Sequence, residues 1–395
     1  MVTRPLVLPL PDVLARQRDA CERSGSALYG RLLDAVSDDV AAGGPCADLL
    51  VPHAGDPVGT ALALRFLGAV HWLVLGGEAP ALAAHYPSAG GSPGPGLVAD
   101  FLATVDAQRA AIAARLPLGV QTNEVGRSAT LVGGYAEVAR RSGGLPLRVL
   151  ELGASAGLNL RWDRFFYDTG RATLGDPGSG VRFVGAWTGT PPPLDAAPVR
   201  VVERAGCDRS PVDPTTVDGR RTLRSYVWPD QRDRLARLDA ALEVAARLPA
   251  RVDAADLGAW VEERLAVPVL GVATVVVHSI VWQYVGPDTR RRLRGALARA
   301  GAAATAGAPL AWLRMEPAGP VADLRLTWWP GGEEEVLGVS DYQGPPVRWG
   351  AQADADAAAD RGAGAPRLSS QRRVAARASR NPSDRPSNPP NPSIQ

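Results

Sequence analysis

The sequence predicts an α/β protein in which a helical region precedes a doubly wound, mostly parallel sheet. Three observations carry this reading. Residues before about 145 show apolar side chains at helical spacing and no convincing strand. From Leu147, short Val- and Leu-rich runs alternate with helical stretches, the pattern of parallel strands joined by crossovers. The last two runs, 323–329 and 335–339, flank Pro330-Gly331-Gly332 and read as a closing antiparallel hairpin.

Taken in order, helices are expected over 12–24, 26–42, 57–75, 96–115 and 125–141, separated by Gly- and Pro-rich clusters such as 42–46, 76–77 and 88–96. Strands are expected over 147–152, 199–205, 251–253, 271–278 and 309–315, before the hairpin. Helical stretches at 156–168, 215–248 (broken near Pro229), 254–266 and 287–300 separate them. The 161–198 insertion carries Gly175-Asp-Pro-Gly178 and Pro191-Pro-Pro193, so an irregular loop or hairpin is expected there. The domains are then a helical cap over 1–145, a sheet domain over 146–349 and a tail over 350–395. The tail is rich in Arg, Ser, Asn and Pro, lacks aromatic residues after Gly350 and is expected to be disordered.

Composition excludes several kinds of chemistry. All 43 basic side chains are arginine, so Schiff-base lysines and P-loop lysines are ruled out. The formal net charge of +2 argues against a nucleic-acid partner. The first apolar run, 6–10, is too short and too proline-broken for a signal or membrane segment, and three scattered cysteines give no disulfide or zinc spacing. A cytoplasmic location, with no membrane partner and no metal, is expected.

The stretch Leu150-Glu-Leu-Gly153-Ala-Ser155-Ala-Gly157 runs from a strand into a turn of small residues. Such a turn lets backbone amides and a helix N-terminus approach a ligand, and Glu151 sits at the strand's carboxyl end, where open sheets bind ligands. Two chemistries compete for it. One is a nucleotide-type cofactor cradle. The other is a nucleophile elbow, because Gly153-Ala-Ser155-Ala-Gly157 matches G-x-S-x-G, with His278 and Asp253 or Asp256 downstream. The cradle reading is favoured because acidic residues end the following strands. Asp208 follows the second and is placed for ribose hydroxyls; Asp253 follows the third and is placed for an adenine amine. The gap from Gly157 to Asp208 exceeds the usual ~20 residues.

Residues 147–340 resemble a class I S-adenosylmethionine-dependent methyltransferase domain. Residues 150–157 resemble its first motif, Gly206-Cys-Asp-Arg-Ser-Pro211 its ribose motif and Val252-Asp-Ala-Ala-Asp-Leu257 its adenine motif. Val275-Val-Val-His-Ser-Ile-Val-Trp282 looks like the fourth strand and the loop beside the transferable methyl group. The resemblance implies a Rossmann-like fold and S-adenosylmethionine as cofactor. It places Glu151 on the methionine amine, Gly153, Ser155 and Gly157 against the cofactor by backbone, Asp208 on ribose and Asp253 on adenine. His278 becomes the base that deprotonates an acceptor. More narrowly, residues 12–349 resemble a bacterial family of unknown function numbered 2332, common in actinobacteria. The phrases are Gln121-Thr-Asn-Glu-Val-Gly-Arg127, 153–160, Arg161-Trp-Asp163, Val227-Trp-Pro-Asp-Gln231 and His278-Ser279.

Further expectations attach to single residues. Thr122 or Asn123 reads as a helix N-cap; alternatively Asn123, Glu124 and Arg127 form a lid over cofactor or substrate. Asn159 reads as a partner of Glu151 or a ligand contact. Trp282 and Tyr284 read as an acceptor wall or as core aromatics. The Arg290-Arg291-Arg292 run reads as a solvated helix face. A non-catalytic, ligand-binding scaffold is the alternative to the enzyme.

Overall fold

In the computed structural model, which describes residues 6–350, the apolar spacing of the first third builds helices around a core of their own. They are α1 (Leu10–Arg23), α2 (Ala27–Ala41), α3 (Pro45–Leu50), α4 (Leu62–Leu75), α5 (Pro80–Ala83), α6 (Leu97–Ala107) and α7 (Arg109–Arg115). Ser26 starts α2 by accepting the Tyr29 amide, and proline occupies the first turn of α3 and α5, where a missing N–H costs nothing. Two expected helices are interrupted. Ala61, in a left-handed conformation, divides 57–75 into a 3-10 turn (Val58–Thr60) and α4. Gln108 divides 96–115 into α6 and α7. Val58–Leu75 is apolar enough to cross a membrane by length and composition, but Phe66, Leu67, Val70 and Leu73 pack in the helical core.

The next helix, α8 (Ser128–Arg141), belongs elsewhere. Leu131, Val132, Tyr135 and Val138 pack on the sheet, so the helical core ends at Leu116, before the boundary expected at 145. The tail expected after 350 lies outside the described residues.

The strands are β1 (Leu147–Leu152), β2 (Phe166–Asp168), β3 (Thr173–Gly175), β4 (Arg182–Val184), β5 (Trp187–Thr188), β6 (Val201–Asp208), β7 (Arg251–Ala254), β8 (Ala273–Ser279), β9 (Leu310–Ala318), β10 (Val321–Trp329), β11 (Glu333–Asp341) and β12 (Gly344–Trp349). Nine of them form one sheet in the order β5-β12-β11-β10-β9-β8-β1-β6-β7. From β7 to β9 the strands are parallel, as the alternating pattern predicts. The expected closing hairpin is larger than its sequence signal: β10, β11 and β12 form an antiparallel meander. The insertion contributes a small sheet, β3-β2-β4, and then β5, which pairs in parallel with β12 at the far edge.

The helices α9 (Val217–Ser225), α10 (Arg232–Arg247), α11 (Leu257–Arg264) and α12 (Pro287–Ala302) follow β6, β7 and β8. Leu147, Val149, Val275, Val277 and Leu313 share a core with α8 and α10. Leu150, Leu152, Val276 and Trp312 share one with α11 and α12. Alternation along each strand thus fills two layers, with helices packed on both faces of the sheet. One crossover breaks the pattern. Where 156–168 was expected to be helical, the chain makes only a 3-10 segment, Asn159–Arg164, kinked at Arg161. It is held by packing: fully buried Trp162 stacks on Tyr135 of α8, ring centroids 4.0 Å apart. The break near Pro229 is a docking point between the two cores. Trp228 enters the helical core, and Asp230 accepts from Ser26 Oγ and the Leu28 amide.

Trp162→Ala should therefore lower the unfolding free energy by about 3–5 kcal/mol, as for other fully buried aromatics. Urea denaturation followed by circular dichroism checks this; a loss below about 1 kcal/mol would show that the stack does not hold the segment to α8.

Candidate functional site

The central pair of strands, β1 and β8, is the topological switch point: β6 and β7 extend the sheet on one side and β9 on the other. Ligands of open α/β sheets bind outside the carboxyl ends at such a point. Both strands here end in strained backbone. The turn after β1 has φ of +67° at Gly153, +53° at Ser155 and +66° at Gly157. Ser155 adopts a left-handed conformation that glycine reaches more readily. Gly153 is required twice over, because a Cβ there would lie 2.6 Å from a Val281 methyl. After β8, Ile280 has φ of +53°, an outlier for a β-branched residue. Such strain clusters at functional sites and is held by surrounding contacts.

The turn is held from within. The Gly153 and Ala154 amides donate to Cys207 O, the Ser155 amide to Asp208 Oδ2 and the Leu158 amide to Asn123 Oδ1. Arg161, 2 % exposed, donates to the carbonyls of Ala156, Gly157 and Leu248. No α-helix begins at Gly157, so the helix N-terminus expected to face a ligand is not there.

Glu151 is different. It is 4 % exposed, and its Oε2 is buried without a hydrogen-bond partner. Burial pushes its carboxyl up to about 8; Arg127 and Arg161 oppose this, and Asp208 adds to it. It is therefore a neutral acid at pH 7 that a cation would ionise. Asp208 accepts the amides of Ser155 and Ser210, one on each oxygen. Each oxygen retains a second lone pair.

His278 is 1 % exposed. Its Nδ1 lies 2.6 Å from Glu316 Oε1, while Nε2 is buried and unpartnered. Glu316 also accepts the Val281 and Trp282 amides. A carboxylate on Nδ1 places the proton there and leaves the Nε2 lone pair free, the arrangement of a general base. Trp282 stacks on the imidazole, centroids 5.5 Å apart. Tyr284 is exposed rather than a core aromatic.

The expected site residues do not share one pocket. Register places Glu151 beside Gly206 and Val277, on the α8 side, and Asp208 shares that side. His278 falls with Val276 on the α11 and α12 side, as do Glu316 and Asp253. Asp253 is engaged by Trp260 Nε1, Arg251 and Arg264, and these hydrogen bonds keep its carboxyl low against the upward push of burial. It is a structural anchor for α11 rather than a free adenine contact. Asp256 caps α11 through the Ala259 amide.

Other expectations are also corrected. Neither Thr122 nor Asn123 caps a helix; Glu124 caps a 3-10 turn, Val125–Arg127, by accepting the Gly126 amide. Asn123, Glu124 and Arg127 do cross the end of β1, but as a strap bound to protein. Glu124 is buried against Arg234, 2.5 Å away, and Arg127 donates to Ser279 O and Tyr342 O. Asn159 is not a partner of Glu151: it accepts from Ser128 and donates to Glu124 O. Ser155 Oγ donates to Gln121, and His278 is paired with Glu316, so the hydrogen bond a nucleophile elbow needs is not made. The Arg290–Arg292 run is not simply solvated: Arg290 donates to Trp282 O, and Arg292 pairs with Glu262. Among the described residues no group of three or more His, Cys, Asp or Glu is placed to hold a metal ion.

Sequence reasoning gave no role to Glu316, Arg161, Arg234 or Gln121, although Arg161 and Gln121 each open one of the family phrases. Glu316 was within reach of the rule that selected Asp208, since it too lies near the carboxyl end of a central strand.

The family described as an uncharacterized protein conserved in bacteria (DUF2332) matches residues 12–349, and the chain belongs to it. No curated protein matches the chain. No solved structure matches it either.

Glu151 gives the site a pH signature. The folded protein keeps this proton up to about pH 8, whereas the unfolded chain releases it near the ordinary value of 4.5. The folded state binds more protons between those values, so this group's contribution to stability falls as pH rises from 4.5 through 8. Glu151→Gln should remove that fall and raise stability at pH 8, by a few kcal/mol, relative to the wild type. Denaturant midpoints at pH 5 and pH 8 check this; equal pH dependence in both proteins would show that Glu151 is ionised when folded.

Proposed function

We propose that this family member is an S-adenosylmethionine-dependent methyltransferase acting in the cytoplasm on a small-molecule acceptor. The observation that supports it most is Glu151: a buried carboxyl with an unpartnered oxygen, at the carboxyl end of the central strand, beside a strained small-residue turn. A carboxyl of this kind is matched by a ligand ammonium, which replaces the missing partner and supplies the charge that lets it ionise.

The residues fit the cofactor at one end better than at the other. Glu151 suits the methionine amine, Asp208 retains lone pairs for ribose hydroxyls, and the turn brings backbone close to both. Asp253 fits an adenine amine less well, because Trp260, Arg251 and Arg264 already take three of its acceptor positions. The cofactor supplies an activated methyl on a sulfonium. The protein's own part is positioning and proton transfer. His278 takes the acceptor's proton at Nε2, and Glu316 stabilises the imidazolium that results. Because Glu151 and His278 stand on opposite faces of adjacent strand ends, ligands lying over those ends are contacted from two sides.

A second reading, a non-catalytic ligand-binding scaffold, is favoured by the turn amides already being consumed by Cys207, Asp208 and Asn123. Calorimetry with S-adenosylmethionine separates the possibilities. We expect saturable binding that Glu151→Gln weakens at least about tenfold. His278→Asn should leave that affinity intact but lower S-adenosylhomocysteine formation, in the presence of a bacterial small-molecule extract, by about 10²–10⁴-fold. No binding at millimolar cofactor defeats the proposal; binding without any turnover favours the scaffold.

A further inference from the structure

The α11 and α12 side of the switch point carries a cluster of which the proposed function uses only His278 and its partner Glu316. Three rings pack together: His278, Trp282 and Trp312, with centroids 5.5–5.9 Å apart. Around them stand three guanidinium groups. Arg290 and Arg294 each lie 5.2 Å from the Trp282 centroid, and Arg314 lies 4.0 Å from that of Trp312. Within this cluster, buried N–H groups of Arg290 (Nε), Arg314 (Nε) and Trp312 (Nε1) make no hydrogen bond, and neither does His278 Nε2. Several buried orphans in one place are unusual, since each leaves a desolvated donor or acceptor without its hydrogen bond.

The charges are equally lopsided. Glu316 is held by His278 and two amides, Glu334 by Arg314 and Arg325, and Asp288 by Arg291. Among the described residues Arg290 and Arg294 make no ion pair. They stand one helical turn apart, where like charges repel. An oxyanion answers both deficits. It accepts from N–H donors and compensates the two cations, and arginine forks are suited to carboxylates and phosphates.

We infer that this cluster binds a small molecule bearing a carboxylate or a phosphate, with Arg290 and Arg294 on the oxyanion. Its identification as the methyl acceptor rests on the proposed function; the anion site itself does not. A hydroxyl on the same molecule would complete the set by meeting His278 Nε2.

Calorimetry of the full-length protein with benzoate, and separately with inorganic phosphate, tests this. We expect saturable binding of at least one probe, and the probe preferred identifies the source of the oxyanion. The double variant Arg290→Gln, Arg294→Gln should weaken it at least about tenfold, while Arg291→Gln, on the same helix but paired with Asp288, should leave it within about twofold. The double variant should keep the wild-type circular dichroism spectrum and the wild-type response to S-adenosylmethionine, whatever that response is. Saturation by neither probe up to about 10 mM, or equal weakening by Arg291→Gln, overturns the inference.

Discussion

The carboxyl-end surface depends on one buried polar strap, residues 121–128. Within eight residues it ties together four parts of the chain. Gln121 accepts from Ser155 and Asn123 from the Leu158 amide, fixing the turn after β1. Glu124 pairs with Arg234 of α10. Arg127 reaches the end of β8 and the turn before β12. Gly126 lies so close to that last turn that a Cβ would meet Gln343 O at 2.2 Å. Breaking a buried ion pair such as Glu124–Arg234 leaves an uncompensated charge and costs about 3–5 kcal/mol. The strap thus fixes the turn's left-handed backbone rather than merely covering it.

Strain is distributed around the same place. Among the described residues, three non-glycine residues have positive φ: Ala61, Ser155 and Ile280. Ser155 and Ile280 end the two central strands. Ala61 follows the 3-10 turn at Val58–Thr60, where a Cβ on Gly59 would lie 3.5 Å from Gln283 O. The helical region and the sheet thus also meet between two 3-10 turns, Val58–Thr60 and Trp282–Tyr284, with Ala61 next to the first and Ile280 just before the second. At about 1–3 kcal/mol each, these conformations persist only because neighbouring contacts over-determine them.

Much of the architecture was legible because it is written in periodicity. The helices of the first third and the five parallel strands announce themselves by apolar spacing, and the parallel order follows from their alternation. The failures share a cause: tertiary packing overrode local pattern. Residues 156–168 have helical spacing, yet Trp162 is drawn into the α8 interface and Arg161 turns inward onto carbonyls, so only a 3-10 segment forms. β5 has two residues and no pattern of its own; it exists because β12 offers an edge. In the site, Glu151, His278 and Asp208 were identifiable from their places at strand ends. Glu316 and Arg234 act through partners distant in sequence, and the engagement of Asp253 by Trp260 depends on how α11 lies against β7.

With Glu151 and Asp208 on one side of the sheet and His278 and Glu316 on the other, the strand ends form a septum. Each compartment has its own supporting shell, the strap and Arg161 on one side, the indoles and α12 on the other. The polar contacts that surround Glu151 and those that hold His278 are made by different residues, and Val281 links the two sides: its amide donates to Glu316 and its side chain packs on Gly153. Any ligand that reaches both sides at once must arch over the ends of β1 and β8 like a saddle, across the Ile280–Val281 backbone that follows β8.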